Sequence, residues 1–216
     1  MKIPLYKQIL SYLHPVWVMG AEDSANNPEL ELLYYRGRWQ LATRDAIYSD
    51  GDRYTPLLTA YRALEGQLAA VKKVLILGAG LGSAVQVMKR KGYSPDFTLV
   101  EADETVVKWA RALLPPYEGN VTFLQADAAY YLDTDSTRYD LLVVDVFIGR
   151  VVPDFVTTEA FIQNCRQHVA AGGSFALNYI IHGGKQWEEF RELFQTHFPN
   201  NHIITNGINR ILVATV

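Results

Sequence analysis

The chemistry open to this sequence rests on one glycine-rich loop and three carboxylates. Gly78-Ala79-Gly80-Leu81-Gly82 directly follows the aliphatic run Val74-Leu75-Ile76-Leu77 and precedes a helical pattern. Glycines in that place let the backbone turn sharply and let a ligand lie against the main chain, with the N–H groups of the helix start facing it. The spacing G-x-G-x-G differs from the G-x-G-x-x-G that cradles a dinucleotide pyrophosphate, and the shift suits a ligand without phosphates. Gly78, Ala79, Gly80 and Gly82 are therefore read as cofactor-binding.

Glu101 ends the second apolar run, about twenty residues beyond the glycines, where a carboxylate can accept two hydrogen bonds from ribose hydroxyls. Asp127, in Gln125-Ala126-Asp127-Ala128, stands where an exocyclic adenine amine could donate to it. An aspartate ahead of Ala128-Ala129-Tyr130 is equally a good helix N-cap, and one residue can serve both ends. Ala102 and Ala128, beside these carboxylates, complete the expected cofactor contacts. Asp145 closes Leu141-Leu142-Val143-Val144; at the carboxyl edge of a parallel sheet it can touch the cofactor and orient or deprotonate an acceptor. The apolar stretch from Val146 to Asp154 is expected to form a rim or lid over the site.

Periodicity supplies the elements that must hold these residues. Leu5, Ile9, Leu10 and Leu13 recur at helical spacing before Pro15. From Val16 to Ser49 short runs rich in Tyr, Trp, Leu and Val, with a turn at Arg36-Gly37-Arg38, read as a small β-hairpin or meander. A helical face from Tyr54 to Leu68 leads into Val74–Leu77, a strand buried on both faces. Helices are then expected over 83–91, 104–114, 158–169 and 186–198, and strands over 97–101, 121–125, 139–144 and 174–179, the alternation of βαβ units. Strands over 202–205 and 210–215, joined across Asn206-Gly207, end the chain as an antiparallel hairpin. The fold class is thus α/β, a Rossmann-like class I methyltransferase fold with a mostly parallel seven-stranded sheet and a small N-terminal β appendage. Residues 1–70 form the appendage and linking helix, and 71–216 the Rossmann-like domain.

Composition narrows the partners. Of 216 residues 49% are hydrophobic and 20% charged, enough to bury one main core. A net charge of -3 argues against a polyanionic partner, so no nucleic acid is expected; Lys89 to Lys91 reads as a basic helix end. The single Cys165 rules out an intramolecular disulfide and a cysteine metal cluster, and reads as a core residue. His197 and His202 have no carboxylate at ligand spacing, so no metal site is expected. With no apolar run near the roughly 20 residues of a membrane span, and no signal-peptide pattern, the expectation is a cytoplasmic protein without a membrane partner.

On these residues the chain from about Leu30 to Tyr179 resembles the spermidine synthase family of aminopropyltransferases. The resemblance runs through the β appendage, the helix opening at Tyr54, the loop LGAGLG, the VEAD step with Glu101 and Asp103, ARALLP ending at Pro115, the QADA step with Asp127, and Asp145. It implies that Glu101 holds the ribose, that Asp127 takes the adenine amine, that Asp145 accepts a proton from the attacking amine, and that Tyr54 lies on the acceptor side. It also implies a homodimer formed through the appendage. Two positions depart from the family pattern. Its GGGDGG loop carries an aspartate for the amine of decarboxylated S-adenosylmethionine where this chain has Leu81, and its D-x-x-D-P step carries a second aspartate where this chain has Ile148.

A polyamine brought into a cleft without carboxylates leaves ammonium groups uncompensated, at several kcal/mol each. The leading expectation is therefore a transferase using S-adenosylmethionine itself, a methyltransferase on this scaffold. Its acceptor is a small molecule, an amine among the candidates, and Tyr54, Tyr130, Tyr131 and Phe147 are placed near the mouth. The alternative is a divergent aminopropyltransferase using decarboxylated S-adenosylmethionine, its amine held by Asp50 or Asp52. A non-catalytic S-adenosylmethionine-binding protein, with the N-terminal helix and the Trp17 and Trp39 region as an oligomer surface, is the third.

Overall fold

The computed structural model describes residues 3–21, 24, 29–44 and 46–216. A short helix, α1 (Leu5–Leu10), precedes β1 (Val16–Ala21), β2 (Leu30–Tyr35), β3 (Arg38–Ala42) and β4 (Ile47–Ser49), which pair in that order as an antiparallel sheet. The appendage is thus a full four-stranded meander. Its β2–β3 turn holds Arg36 and Gly37 at φ 48 and 76, bracketed by the pair Tyr35 and Arg38. Positive φ at both central residues matches the right-handed twist of the flanking strands.

Next come α2 (Thr55–Ala63) and α3 (Glu65–Leu68). The single helix expected over 54–68 breaks at Leu64, whose φ of -99 and ψ of 11 leave the helical range. The main sheet then begins with β5 (Lys73–Leu77), α4 (Ser83–Arg90), β6 (Asp96–Glu101), α5 (Glu104–Leu113) and β7 (Val121–Gln125). The chain returns through α6 (Ala128–Thr134) to β8 (Tyr139–Val144), α7 (Glu159–His168), β9 (Val169–Ile180), α8 (Gly184–His197), β10 (Asn201–Asn206) and β11 (Asn209–Thr215). Seven strands lie in the order β10-β11-β9-β8-β5-β6-β7, with β11 antiparallel to both neighbours and the pairs from β9 to β7 parallel. This is the Rossmann-like class expected from the alternation.

Strand order reverses at β5, flanked by β6 on one side and β8 on the other. Ligands of open α/β sheets lie outside the carboxyl ends of the strands at such a switch point. Gly78, Glu101 and Asp145 stand at those three ends. Val74–Leu77 and Leu141–Val144 are almost fully buried, as strands covered on both faces require.

Three local differences from the sequence expectation have physical reasons. α6 occupies the segment between β7 and β8 that periodicity left without a regular element, because Asp127 caps it. β9 begins at Val169, five residues early, with a register shift against β8 between Tyr139 and Leu141. The terminal hairpin turns on Gly207 and Ile208, since Asn206 pairs with Asn209; of the turn residues only Gly207 has positive φ, at 60. Glycine at the first central position is what that turn geometry requires.

The appendage does not stand apart from the main sheet. Leu30, Leu32 and Leu41 form one buried cluster with Leu81 of the glycine loop and with Val106, Ala110 and Leu113 of α5. Cys165 is fully buried in α7, as expected of a core residue.

Candidate active site

The glycine loop is shaped by close approach. Gly78 has φ +84, and a Cβ there would lie 2.3 Å from the Asp145 carbonyl oxygen, so any side chain would push β5 and β8 apart where both carry site residues. Gly78 and Ala79 N–H both donate to Val100 O, at 2.9 and 3.1 Å, stitching the loop to β6. Gly80, at φ +51, passes under Tyr48 O, which a Cβ would meet at 3.3 Å, and donates its N–H to Glu101 Oε2 at 3.1 Å. Gly78 and Gly80 line the cleft, whereas Ala79 is buried in the core and Gly82 faces the Leu114 side chain. Those last two positions, also read from the sequence as cofactor-binding, shape the loop from behind the cleft lining. The loop can bend only if the residues beneath its turns are small.

Glu101 is fixed from two sides, because its other oxygen accepts Asp103 N–H at 3.2 Å. Burial raises the Glu101 pKa, and the backbone donors, led by Asp103 and Gly80, oppose the rise. Asp103 is itself buried and caps α5 through Thr105 N and Val106 N at 2.9 and 3.3 Å, while Ser24 donates to its other oxygen. Asp127 caps α6 through one oxygen, which accepts Ala129 N–H at 2.9 Å and Tyr130 N–H at 3.0 Å. It also lines the cleft with Ala102 and Ala128, so capping and ligand contact are compatible in this residue.

Asp145 lines the cleft just past the end of β8. Its backbone N–H continues the β8–β5 ladder to Leu77 O at 2.8 Å. Its Oδ1 accepts Asn178 Nδ2 at 2.8 Å and the Tyr54 hydroxyl at 3.4 Å. Asn178 is held in turn by Asn209 Nδ2, which donates to its Oδ1 at 2.7 Å. Burial pushes the Asp145 carboxyl up to about 6; the Asn178 and Tyr54 donors oppose this, and the charge of Glu101 adds to it. Tyr54, which opens α2 and is buried, is driven well above the ordinary phenol range by burial and then by Asp145, so it stays a donor. Sequence reasoning missed the Asn178–Asn209 relay. Its signal was an asparagine inside the apolar run of β9, a place where a polar amide needs partners.

Val146, Phe147, Ile148 and Pro153 border the cleft, as the expected rim should. Of the four aromatics placed at the mouth, Tyr54 and Phe147 line it; Tyr130 points out to solvent and the Tyr131 hydroxyl pairs with that of Tyr139 at 2.8 Å. Beyond Tyr54 and Phe147 opens a second hollow of about 460 Å³, which Asp50, Arg53, Arg150, Asn178 and Asn209 help to line. Asp50 is engaged there by Arg53 and Gln40, and Asp52 is turned away to Arg38, whose guanidinium holds its carboxyl below the usual range. Leu81 is 2% exposed and lines neither space.

The sheet order and the loop at its switch point define a Rossmann-like protein of the class I methyltransferase fold. Solved structures agree on that fold: a probable spermidine synthase from Corynebacterium glutamicum has a TM-score of 0.74 at 20% identity, covering 92% of this chain and 79% of its own. Human methyltransferase-like protein 13, solved with SAH, has a TM-score of 0.63 at 18% identity over 74% of this chain and 79% of its own. The spermine/spermidine synthase domain description matches residues 58–196, and the chain belongs to that family. The polyamine aminopropyltransferase of Neisseria meningitidis serogroup A is 30% identical over 150 residues, 65% of this chain and 56% of the relative. That of Chromobacterium violaceum is 32% identical over 125 residues, 56% of this chain and 47% of the relative. The chain spans about half the length of the curated relatives it matches. Both relatives are named for aminopropyl transfer, the activity that the sequence alone placed second.

Proposed function

We propose that this chain transfers the aminopropyl group of decarboxylated S-adenosylmethionine to the nitrogen of a small amine. One observation carries the reading: Asp145 stands at the switch point with one oxygen fixed by Asn178 and Tyr54, where burial pushes its carboxyl up to about 6. Such a group is ionised at neutral pH and basic enough to take the proton an attacking amine must lose. The bound donor supplies an electrophilic carbon on a sulfonium whose leaving group is a neutral thioether.

The chain's own residues fit that donor. Glu101, its two oxygens aligned by Gly80 and Asp103 N–H groups, is placed to hold ribose hydroxyls. Gly78 and Gly80 offer bare main chain, Ala102 and Ala128 flank the cleft, and the Asp127 oxygen not used in capping is available to an adenine amine. Val146, Phe147 and Pro153 exclude water from the reacting atoms.

Methyl transfer from S-adenosylmethionine is the second reading, favoured by Leu81. Where the family pattern carries the amine-binding carboxylate, this side chain is packed among Leu30, Leu32 and Leu41. Parallel calorimetric titration with the two donors decides between them. Tighter binding of the decarboxylated donor supports aminopropyl transfer, and tighter binding of S-adenosylmethionine supports methyl transfer. Binding of neither would sink both. An oligomer surface is also proposed: Leu5, Ile9, Leu13 and Trp17 are all more than half exposed, and a homodimer through this end predicts twice the chain mass in light scattering.

A further inference from the structure

The hollow beyond Tyr54 and Phe147 differs in charge from the cleft it joins. Asp145 and Glu101 stand at the cleft end. In the hollow, Asp50 is the one carboxylate among the described lining residues, and its Oδ1 already accepts Arg53 Nη2 at 3.0 Å and Gln40 Nε2 at 2.8 Å. Two guanidinium groups face it. Arg150, on the rim after Gly149, is exposed and has no ion pair among the described residues. Arg53 also donates to Tyr35 O at 3.0 Å, yet its Nε is buried without a partner, a donor the fold leaves unspent. A diamine threaded toward Asp145 would set its second ammonium beside these arginines, where the one carboxylate of the described lining, Asp50, is already paired with Arg53.

We propose that the acceptor drawn from this hollow is an amine whose far end carries a carboxylate or similar anion. The anion lies against Arg150 and Arg53 while the nitrogen reaches Asp145. A guanidinium takes a carboxylate through two parallel N–H···O bonds, and the two ends of the path then match a zwitterion in sign. The proposal rests on the transfer reading above and names its substrate class.

The test compares ω-amino acids with α,ω-diamines of three, four and five carbons, by calorimetry on the protein saturated with 5′-methylthioadenosine. At the best length the amino acid should bind at least about tenfold tighter than its diamine. Arg150→Gln should remove about tenfold of that affinity, and Arg150→Glu should turn the preference toward the diamine; nucleoside affinity, unchanged in both variants, reports that they fold. Diamines that bind as tightly at every length, or a preference indifferent to Arg150, would overturn the proposal. Turnover with both donors, read by mass spectrometry, separates the two failures. Carboxylate-bearing amines that bind but yield no product count against transfer alone, and product formed faster from diamines counts against the charge assignment alone.

Discussion

Replacing Asp145 with asparagine should make the ligand-free protein more stable at neutral pH while removing its turnover. Burial moves this carboxyl from 3.8 to about 6, so the native state holds a proton that the unfolded chain has already lost between those values. The stabilising preference for the neutral form is fully present below 3.8 and is lost as pH rises through 6. Above that, the ionised group destabilises the fold by up to about 3 kcal/mol. Asparagine keeps an oxygen to accept from Asn178 and Tyr54 and carries no charge. Asp145→Asn should therefore gain up to about 3 kcal/mol at pH 7.5, a rise in Tm of roughly 6–12 °C for a domain of this size. Urea denaturation of both proteins at pH 4 and pH 7.5 is the assay, and the gain should be largely gone at the lower pH. A variant that is less stable at pH 7.5, or equally stabilised at both, would refute the placement of an ionised, desolvated carboxylate here. The same variant should lose about 10²-fold or more in kcat with donor affinity nearly unchanged.

Three further substitutions probe the Asp145 relay, the Glu101 carboxylate and the glycine loop. Asn178→Ala removes the shorter of the two donors to the charged carboxylate, so the acid limb of kcat/KM should move up by about one pH unit, and an unmoved limb would deny the relay its role. Glu101→Gln should weaken nucleoside binding by about 10–100-fold in calorimetry and move the same limb down, because the Glu101 charge raises the Asp145 pKa. Leu81→Asp should lower stability by about 3 kcal/mol or more in urea, since the carboxylate would enter an apolar cluster; a neutral effect would mean that the side chain reaches the cleft.

The fold was legible because each element repeats one period. Val74–Leu77 and Leu141–Val144 are apolar at every position, which a strand covered on both faces must be, and the helices between them carry one apolar stripe. The site was legible wherever a single residue type meets a single demand: Gly78 under the Asp145 carbonyl, or Glu101 at a strand end. What escaped reading depends on partners distant in the chain. Asn178 and Asn209 lie 31 residues apart and meet only because β11 is inserted antiparallel beside β9. Asp50 and Asp52 read as free carboxylates because Gln40 and Arg38, from the neighbouring strand, are not visible as their partners until the meander folds.

Leu81 and Ile148 then express one electrostatic change. Each stands where the resemblance puts a carboxylate of the family pattern; Leu81 is buried there, whereas Ile148 is half exposed. Leu81 fills the junction between appendage and glycine loop, and Ile148 joins Val151 by paired backbone bonds at 3.0 Å to shape the rim. In the hollow itself Arg53 is paired with Asp50, and Arg150 has no ion pair among the described residues. Because a guanidinium is always charged, that charge cannot be titrated away, and on the proposed reading an acceptor answers it with an anion. On the proposed reading the base is untouched by the change, since Asp145 is held by Asn178 and Tyr54 and by neither altered position. Under that proposal, acceptor choice and proton transfer are set by separate residues of one site.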